Sequence, residues 1–162
     1  MAAGKPLFSF ESPDDSPGFL LWQTTNLWQR EIKKALDRFD LTHAQFVVLA
    51  SAYWLGQQQA PVTQVALAEH ARIDKMMTSK LLRTLEAKGL LVRAEHEHDT
   101  RAKVIELTQA GTKTLVQAVW AVEEFDTVFF GVLGTQQASL SQQLKTLLKA
   151  GSETPPDPST AT

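Results

Sequence analysis

Two short helical segments joined by a tight connection restrict the fold of this chain more than any other feature. Thr63 is placed to cap the first segment. Asp74 is placed to cap the second, which we expect to end at Gly89. Only the dipeptide Arg72-Ile73 separates the end of the first segment from the second cap. Two short helices this close in sequence predict a helix-turn-helix motif.

The patterning changes from helical to strand-like after Gly89. Leu90-Leu91-Val92 and Val104-Ile105-Glu106-Leu107 are short apolar runs that flank a charged stretch at residues 95–101. Such a pair of runs predicts a β-hairpin with a charged tip.

A strong helix start precedes the motif. Thr42 and Gln45 form a capping box, and Leu41 and Phe46 occupy the two positions of a hydrophobic staple. We expect this helix to end at Gly56, before a Gln-rich and proline-containing break.

Longer helices are predicted on both sides of this region. Ser16 and Pro17 indicate a helix start, and an apolar stripe continues to Phe39. Thr108 indicates a second long helix, and a last helix with a leucine stripe follows Gly134. The predicted fold class is therefore mainly α, with one small β-hairpin.

The same pattern suggests a domain division. Residues 41–108 are expected to form one lobe, and residues 17–40 and 109–150 a helical dimerisation region. Residues 1–16 and 151–162 are rich in proline and lack periodicity, so we expect disordered tails.

Composition excludes several function classes. The chain of 162 residues has no cysteine, which excludes disulfides, thiolate metal sites and thiol redox chemistry. No apolar run has the length of a membrane span, and the N-terminus lacks the apolar core of a secretory signal. We therefore expect a cytoplasmic protein without a membrane partner.

Charge and aromatic residues are distributed unevenly. The formal net charge is −2, yet residues 61–108 hold 8 basic and 7 acidic residues and none of the aromatic ones. This middle segment lacks the aromatic side chains on which unpaired bases stack, so we do not expect it to bind single-stranded nucleic acid.

The segment from Asp74 to Lys88 has two chemically different faces when it is drawn as a helix. Its predicted packing face comprises Met77, Leu81 and Leu85. Its predicted outer face comprises Lys75, Met76, Ser79, Lys80 and Arg83. Cationic side chains can reach phosphates and guanine edges, hydroxyls such as that of Thr78 can bond phosphate or base edges, and methionine can touch a thymine methyl. The alternative is an ordinary solvated helix face.

The hairpin supplies further candidates for DNA contact. An arginine on a narrow protrusion, here Arg101, suits the negative minor groove. Asp99 would hold Arg101 or Arg93 in a fixed orientation, or would simply stabilise the turn. Arg93 and Lys103 are also counted among the DNA-binding candidates.

His96 and His98 would project from the same side of the hairpin, next to Asp99. A metal site or a charge sensor is one interpretation, and a solvated tip or contact with the DNA backbone is another. Since no fourth ligand is evident, we expect no metal.

These residues resemble the MarR family of winged helix-turn-helix regulators over roughly residues 20–148. The most specific part is Asp74 through Gly111. It contains a helix ending Leu85-Glu86-Ala87-Lys88-Gly89-Leu90-Leu91-Val92-Arg93, then Asp99-Thr100-Arg101, and last Leu107-Thr108-Gln109-Ala110-Gly111. Met76-Met77 stands where small hydroxyl residues are common in the family. The resemblance implies a dimeric transcription factor, mostly repressing, that binds palindromic double-stranded DNA and is often released by a small aromatic or phenolic ligand.

A dimer is also expected on physical grounds. Two long terminal helices with continuous apolar stripes lack a partner in a lobe of this size, and pairing two copies buries them. Two-fold symmetry would place two reading helices about 34 Å apart, which predicts a pseudo-palindromic site in DNA.

Aromatic residues are concentrated in the helices that should surround the junction between dimer base and reading lobe. The resemblance to the family implies that the effector pocket lies at this junction. Our ligand-binding candidates are Trp22, Asn26, His43, Phe46, Trp54 and Trp120. Asn26 and His43 would orient a carboxylate or phenol. Ordinary core packing is the alternative for each aromatic residue.

Catalytic motifs are missing from the sequence: there is no glycine-rich phosphate loop, no Gly-x-Ser-x-Gly elbow and no His-Glu-x-x-His helix. We therefore expect neither an enzyme nor a cofactor. The second hypothesis is a helical adaptor that binds protein partners through its aromatic-rich ends without binding DNA.

Overall fold

The computed structural model of the protein describes residues 7–58, 60–95 and 103–152. In these residues the chain forms six α-helices and one antiparallel pair of strands. They are α1 (Pro17–Asp37), α2 (His43–Gly56), α3 (Gln64–Ala71), α4 (Lys75–Ala87), β1 (Leu91–Glu95), β2 (Lys103–Leu107), α5 (Gln109–Gly131) and α6 (Gln137–Ala150). This order agrees with the predicted one, and the mainly α fold class with a β-hairpin is confirmed.

The helix starts follow the predicted caps. Thr42 Oγ1 accepts the backbone N–H of Gln45 at 3.2 Å, and Gln45 Oε1 accepts that of Thr42 at 3.1 Å, which completes the capping box. Ser16 Oγ accepts the N–H of Phe19 at 3.4 Å at the start of α1. These local hydrogen bonds satisfy backbone donors that a helix start would otherwise leave unpaired.

A short 3-10 helix, Pro13–Asp15, precedes α1. Ser12 caps it by accepting the N–H of Asp14 at 3.3 Å, and the ring of Pro13 fixes one backbone angle. This one turn is therefore helical within the stretch that was expected to be a disordered tail.

The two strands pair in a register that sets Leu91 opposite Leu107. Ile105 also donates its backbone N–H to Val62 O at 2.8 Å, next to an isolated bridge between Thr63 and Val104. The residues just before α3 thus extend the hairpin by one short pairing and hold it against the helix-turn-helix motif.

The core of the first compact unit draws on the flanking helices as well as on the lobe. Its buried side chains include Ile32, Leu36, Val48, Leu49, Leu67, Leu82, Leu85, Leu91, Ile105, Leu115 and Ala118. Core packing therefore crosses the predicted boundaries at residues 41 and 108. Two compact units divide within α5, between Phe125 and Asp126.

One side chain of the predicted packing face of α4, Met77, is exposed. The packing face of α4 is rotated because Leu82, which was not assigned to it, is buried. This shifts the centre of the buried face towards Thr78, one turn earlier, and leaves Met77 at its edge.

The second unit contains the end of α5 and all of α6. No residue of α6 is buried, and Leu144, Leu147 and Leu148 are exposed along it. None of the helices in the described ranges combines the length and hydrophobicity that a membrane span requires.

Candidate nucleic-acid interface

A left-handed residue makes the tight connection between α3 and α4. Arg72 has φ +51°, and the N–H of the next residue, Ile73, donates to Ala68 O at 3.0 Å. Asp74 Oδ1 then accepts the N–H of Met77 at 2.8 Å and starts α4. Gln64 Nε2 donates to Lys75 O at 3.4 Å, which ties the start of α3 to the start of α4. The left-handed turn at Arg72, the Asp74 cap and the Gln64 hydrogen bond together join α3 and α4 in a helix-turn-helix arrangement.

The solvent face of α4 is cationic and carries an exposed thioether. Lys75, Lys80 and Arg83 are exposed, and Met76 is 82% exposed. Arg83 donates from Nε to Ser79 O at 3.3 Å and from Nη2 to Ser79 Oγ at 3.4 Å. The guanidinium is therefore held along the helix, where its remaining donors face solvent.

Thr78 does not belong to this surface. Its side chain is 1% exposed, and Oγ1 donates to Asp74 O at 2.9 Å. The prediction that Thr78 contacts DNA is wrong, because the hydroxyl is used within α4 and the methyl group is packed in the core.

Arg93 connects the hairpin to α4 instead of standing free. Its guanidinium forms an ion pair with Glu86 through Nη2, and Nε donates to the same carboxylate oxygen at 2.9 Å. Two donors on one carboxylate resist rotation, so this pair positions β1 relative to α4. Sequence reasoning assigned Arg93 to DNA or to Asp99 and missed Glu86, although both residues lie in the stretch that carries the family resemblance.

The tip of the hairpin lies outside the described residues, and with it Asp99, Arg101, His96 and His98. Lys103 is the first residue of β2. In the part of the chain that the structure describes, no cluster of three His, Asp or Glu side chains could hold a metal ion.

The base of the hairpin is locked to α5 through Thr108. Its Oγ1 donates to Gly89 O at 2.7 Å and accepts the N–H of Gly111 at 2.9 Å, and its own N–H donates to Leu90 O at 3.1 Å. A Cβ on Gly111 would lie 1.8 Å from Leu90 O, so the two backbones meet at a distance that only glycine allows. Gly89 has φ +69° and turns the chain from α4 into β1.

The six predicted ligand-binding residues do not share one pocket within a single copy of the chain. Trp22 and Trp54 are exposed, and Asn26 Nδ2 donates to Trp22 O at 2.7 Å. The ring of His43 packs edge-on against Trp28, with 4.9 Å between centroids. The remaining two candidates are Phe46, which packs against the core, and Trp120. A ligand pocket formed by these six residues stays a prediction.

Trp120 lines a cleft whose other residues were not among the predicted ligand contacts. The cleft has a volume of about 360 Å³, and its other lining residues are Arg38, Phe39, Val116 and Gln117. Trp120 is 73% exposed, and the guanidinium carbon of Arg38 lies 4.9 Å from the centroid of the Phe39 ring. A cation over one aromatic ring, with a second ring lining the same cleft, suits a planar anion.

A second cavity of about 340 Å³ lies between the end of α2, the following loop, β2 and the start of α5. Tyr53, Val62, Val104, Glu106 and Thr112 are among its lining residues. It borders the short pairing that holds the hairpin to the motif. None of these residues was among the predicted ligand contacts.

A helix-turn-helix motif followed by a hairpin that is fastened to its second helix defines a winged helix-turn-helix protein. The MarR family model matches residues 41–103. The HTH-type transcriptional regulator YdcH of Bacillus subtilis (strain 168) is 42% identical over 140 residues, 86% of this chain and 95% of the relative. The transcriptional regulator HosA of Escherichia coli is 30% identical over 125 residues, 77% of this chain and 85% of HosA. The chain belongs to the MarR family, as its sequence pattern predicted.

Solved structures agree with this assignment. CouR from Rhodococcus jostii RHA1, crystallised with p-coumaroyl-CoA, is 27% identical with a TM-score of 0.74, covering 85% of this chain and 93% of CouR. The S. aureus MepR–DNA complex is 26% identical with a TM-score of 0.71, covering 84% and 99% of the two chains. The protein is a DNA-binding transcriptional regulator of the MarR family, and its named relatives are regulators, not enzymes.

Proposed function

We propose that this protein is a homodimeric repressor that binds a pseudo-palindromic DNA duplex and is released by a small aromatic or phenolic ligand. The observation that carries the DNA-reading part is the composition of the exposed face of α4: three cations and a methionine on the outside, with leucines buried behind them. This face suits the major groove, where cations neutralise phosphates and an apolar side chain can meet a thymine methyl.

We assign direct DNA contact on α4 to Lys75, Met76, Ser79, Lys80 and Arg83. Arg93 has a positioning role through Glu86. Arg101 at the hairpin tip is proposed to enter the minor groove, with Asp99 orienting it, and Lys103 to contact phosphate. The MepR structure was solved as a complex with DNA, which supports DNA binding by a chain with this fold.

Dimerisation is supported by apolar surface that one copy leaves uncovered. Phe19, Leu20, Leu21 and Trp22 are exposed at the start of α1. Leu144, Leu147 and Leu148 of α6 are exposed as well. Contiguous apolar patches of this kind usually mark an interface. A second copy of the same chain supplies an equivalent patch and the two-fold symmetry that a palindromic site requires.

The ligand proposal centres on the cleft of Arg38, Phe39 and Trp120. The guanidinium can pair with a carboxylate or phenolate, and the indole can stack on an aromatic ring. CouR was crystallised with p-coumaroyl-CoA, which contains a phenol. We therefore propose an aromatic acid as the first ligand class to test. A ligand of the folded state raises the midpoint of thermal unfolding by mass action, and Arg38→Gln should remove that increase.

DNA binding is tested with a duplex that the wild-type protein selects from a randomised pool. Its dissociation constant is measured at several salt concentrations, where a DNA reader shows a steep log–log dependence. Lys80→Ala and Arg101→Ala should each reduce the slope by about one. Lys33→Ala, which removes an exposed lysine of α1, serves as the matched control and should leave the slope unchanged.

The outcomes separate the parts of the proposal. If no duplex is selected, DNA reading by this chain is refuted and the adaptor hypothesis gains support. If the selected duplex contains a single half-site, the dimeric reading mode is wrong. If a reporter gene placed downstream of the selected duplex is activated by the protein, the repressor assignment is wrong. The cytoplasmic location stays a prediction.

A further inference from the structure

The sulfur atoms of this chain are concentrated on its proposed DNA-reading surface. There is no cysteine, and the three methionines are Met1, Met76 and Met77. Apart from the first residue, therefore, every sulfur atom lies in the first turn of α4. Met76 is 82% exposed and Met77 is 45% exposed.

Both side chains are accessible, and neither is part of the core. A thioether accepts an oxygen atom from a two-electron oxidant to give methionine sulfoxide, which is polar and chiral. Oxidation of a buried methionine disrupts packing, whereas oxidation here leaves the buried leucines of α4 untouched. The backbone of the first turn is also fixed independently, because Asp74 caps it. The chemical change therefore stays on the surface that would face DNA.

We propose that Met76 and Met77 form an oxidation site that releases the protein from its operator. In the reaction with hypochlorous acid, the thioether sulfur takes up the oxygen atom, chloride leaves, and one proton is released. The sulfur is oxidised by two electrons and the chlorine is reduced by two. This inference rests on the proposed function, because it requires that α4 reads DNA.

The sulfoxide changes two interactions that DNA binding needs. An apolar contact with a thymine methyl is lost when a strongly polar S–O group replaces the thioether. The sulfoxide oxygen also carries partial negative charge close to the phosphates that Lys75 and Lys80 are positioned to neutralise. Both effects weaken binding. Because Met76 is the more exposed of the two, we expect its sulfoxide to form first and to account for most of the loss.

Oxidation of these two methionines can be reversed by enzymes. Methionine sulfoxide reductases return each sulfoxide epimer to the thioether, while a dithiol is oxidised to a disulfide and the oxygen leaves as water. A protein without cysteine would thus gain a reversible redox response through thioether chemistry.

The test uses the full chain and the duplex that the untreated protein selects. The protein is exposed to limiting hypochlorous acid, the sulfoxides are assigned by peptide mass spectrometry, and the dissociation constant is measured before and after. We expect the constant to rise about tenfold with oxidation at Met76. Circular dichroism should remain unchanged, and methionine sulfoxide reductases A and B together should restore the original affinity.

Matched variants identify the residues responsible. Met76→Leu/Met77→Leu keeps the apolar character and should bind the duplex equally before and after treatment. Met76→Gln, a polar chain of similar length, should bind weakly without any oxidant. Trp22, Trp54 and Trp120 are also exposed and open to oxidation. If the double leucine variant loses affinity as the wild type does, damage at such residues is the cause and the proposal is overturned.

Two further results decide the remaining cases. If the double leucine variant fails to bind even untreated, the decisive result is recovery of affinity by the oxidised wild type as the reductases remove the sulfoxides of Met76 and Met77, followed by peptide mass spectrometry separately from Met1. Without recovery of affinity, the oxidation site is refuted. If the untreated wild type binds no duplex, it is the proposed function that fails. Tight binding that survives oxidation of both methionines refutes this inference and leaves the DNA-reading function intact.

Discussion

Lys88 Nζ lies 2.9 Å from Oδ2 of Asp40, across 48 positions of sequence. The same ammonium donates to the backbone carbonyl of Asp40, and Gln45 Oε1 lies 3.4 Å from it. Asp40 ends the turn after α1, Gln45 belongs to the capping box of α2, and Lys88 caps the end of α4. One side chain therefore joins the end of the proposed reading helix to the connection between α1 and α2.

The first prediction concerns the backbone of Asp40. Its φ is +52°, a conformation that favours glycine, and its side chain is 90% exposed, so the ion pair adds less than about 1 kcal/mol. Asp40→Ala loses the ion pair and keeps the left-handed strain, whereas Asp40→Gly removes the strain. We expect the glycine variant to be more stable than the alanine variant by about 1 kcal/mol in urea unfolding. Equal stability of the two would show that the strain is relieved by a shift of the turn.

The second prediction concerns the contact between α5 and the hairpin base. Gly111→Ala would place a methyl group 1.8 Å from Leu90 O, which is a backbone atom and cannot rotate away. We expect a loss of about 3 kcal/mol in the free energy of unfolding, measured with denaturant. Gly18→Ala is the matched control, because nothing lies within 4 Å of the added atom and alanine favours the helix. A Gly111→Ala protein as stable as the control would contradict the close approach of the Gly111 and Leu90 backbones.

The third prediction concerns the ion pair that fastens β1 to α4. Glu86→Gln and Arg93→Met should each lower the free energy of unfolding by about 1 kcal/mol, since the pair is only partly shielded from solvent. In a double-mutant cycle the combined variant should lose less than the two single losses added together. Each variant should also weaken binding of the selected duplex, because β1 leads into the hairpin tip that carries Arg101. Strictly additive losses would show that the two side chains act independently.

Features that depend on neighbours in sequence could be predicted from the sequence. The capping box at Thr42, the cap at Asp74 and the strand runs beside Gly89 depend on a few adjacent residues, and the structure places the helix and strand starts accordingly. The exposed cations of α4 were predicted for the same reason, since helical periodicity alone separates them from the leucines.

Features that depend on distant residues could not be predicted in this way. Periodicity assigned Met77, Leu81 and Leu85 to the packing face of α4, and only the position of Leu82 in the core shows that Thr78 is buried and Met77 is exposed. The partners of Arg93 and Lys88 were not identifiable, because an arginine or lysine has several acidic residues within reach in sequence. Aromatic residues likewise indicate apolar surface without indicating which helix will lie opposite, so a ligand pocket made of the six predicted residues stays a prediction.

The fourth prediction concerns the leucines of α6. Leu144 and Leu147 are exposed although the helix is amphipathic, and we propose that a second copy of the chain covers them. Leu144→Glu/Leu147→Glu places two carboxylates in that interface, and we expect the dissociation constant of the dimer to rise at least about a hundredfold in sedimentation velocity. Gln142→Glu adds a carboxylate to the opposite side of α6 and should leave the dimer intact.

The double variant should also bind the selected duplex weakly, with a salt dependence about half as steep, because one copy contacts half of the phosphates. A double variant that remains dimeric would exclude this face of α6 from the interface, and a wild-type chain that is monomeric at micromolar concentration would exclude the dimer itself.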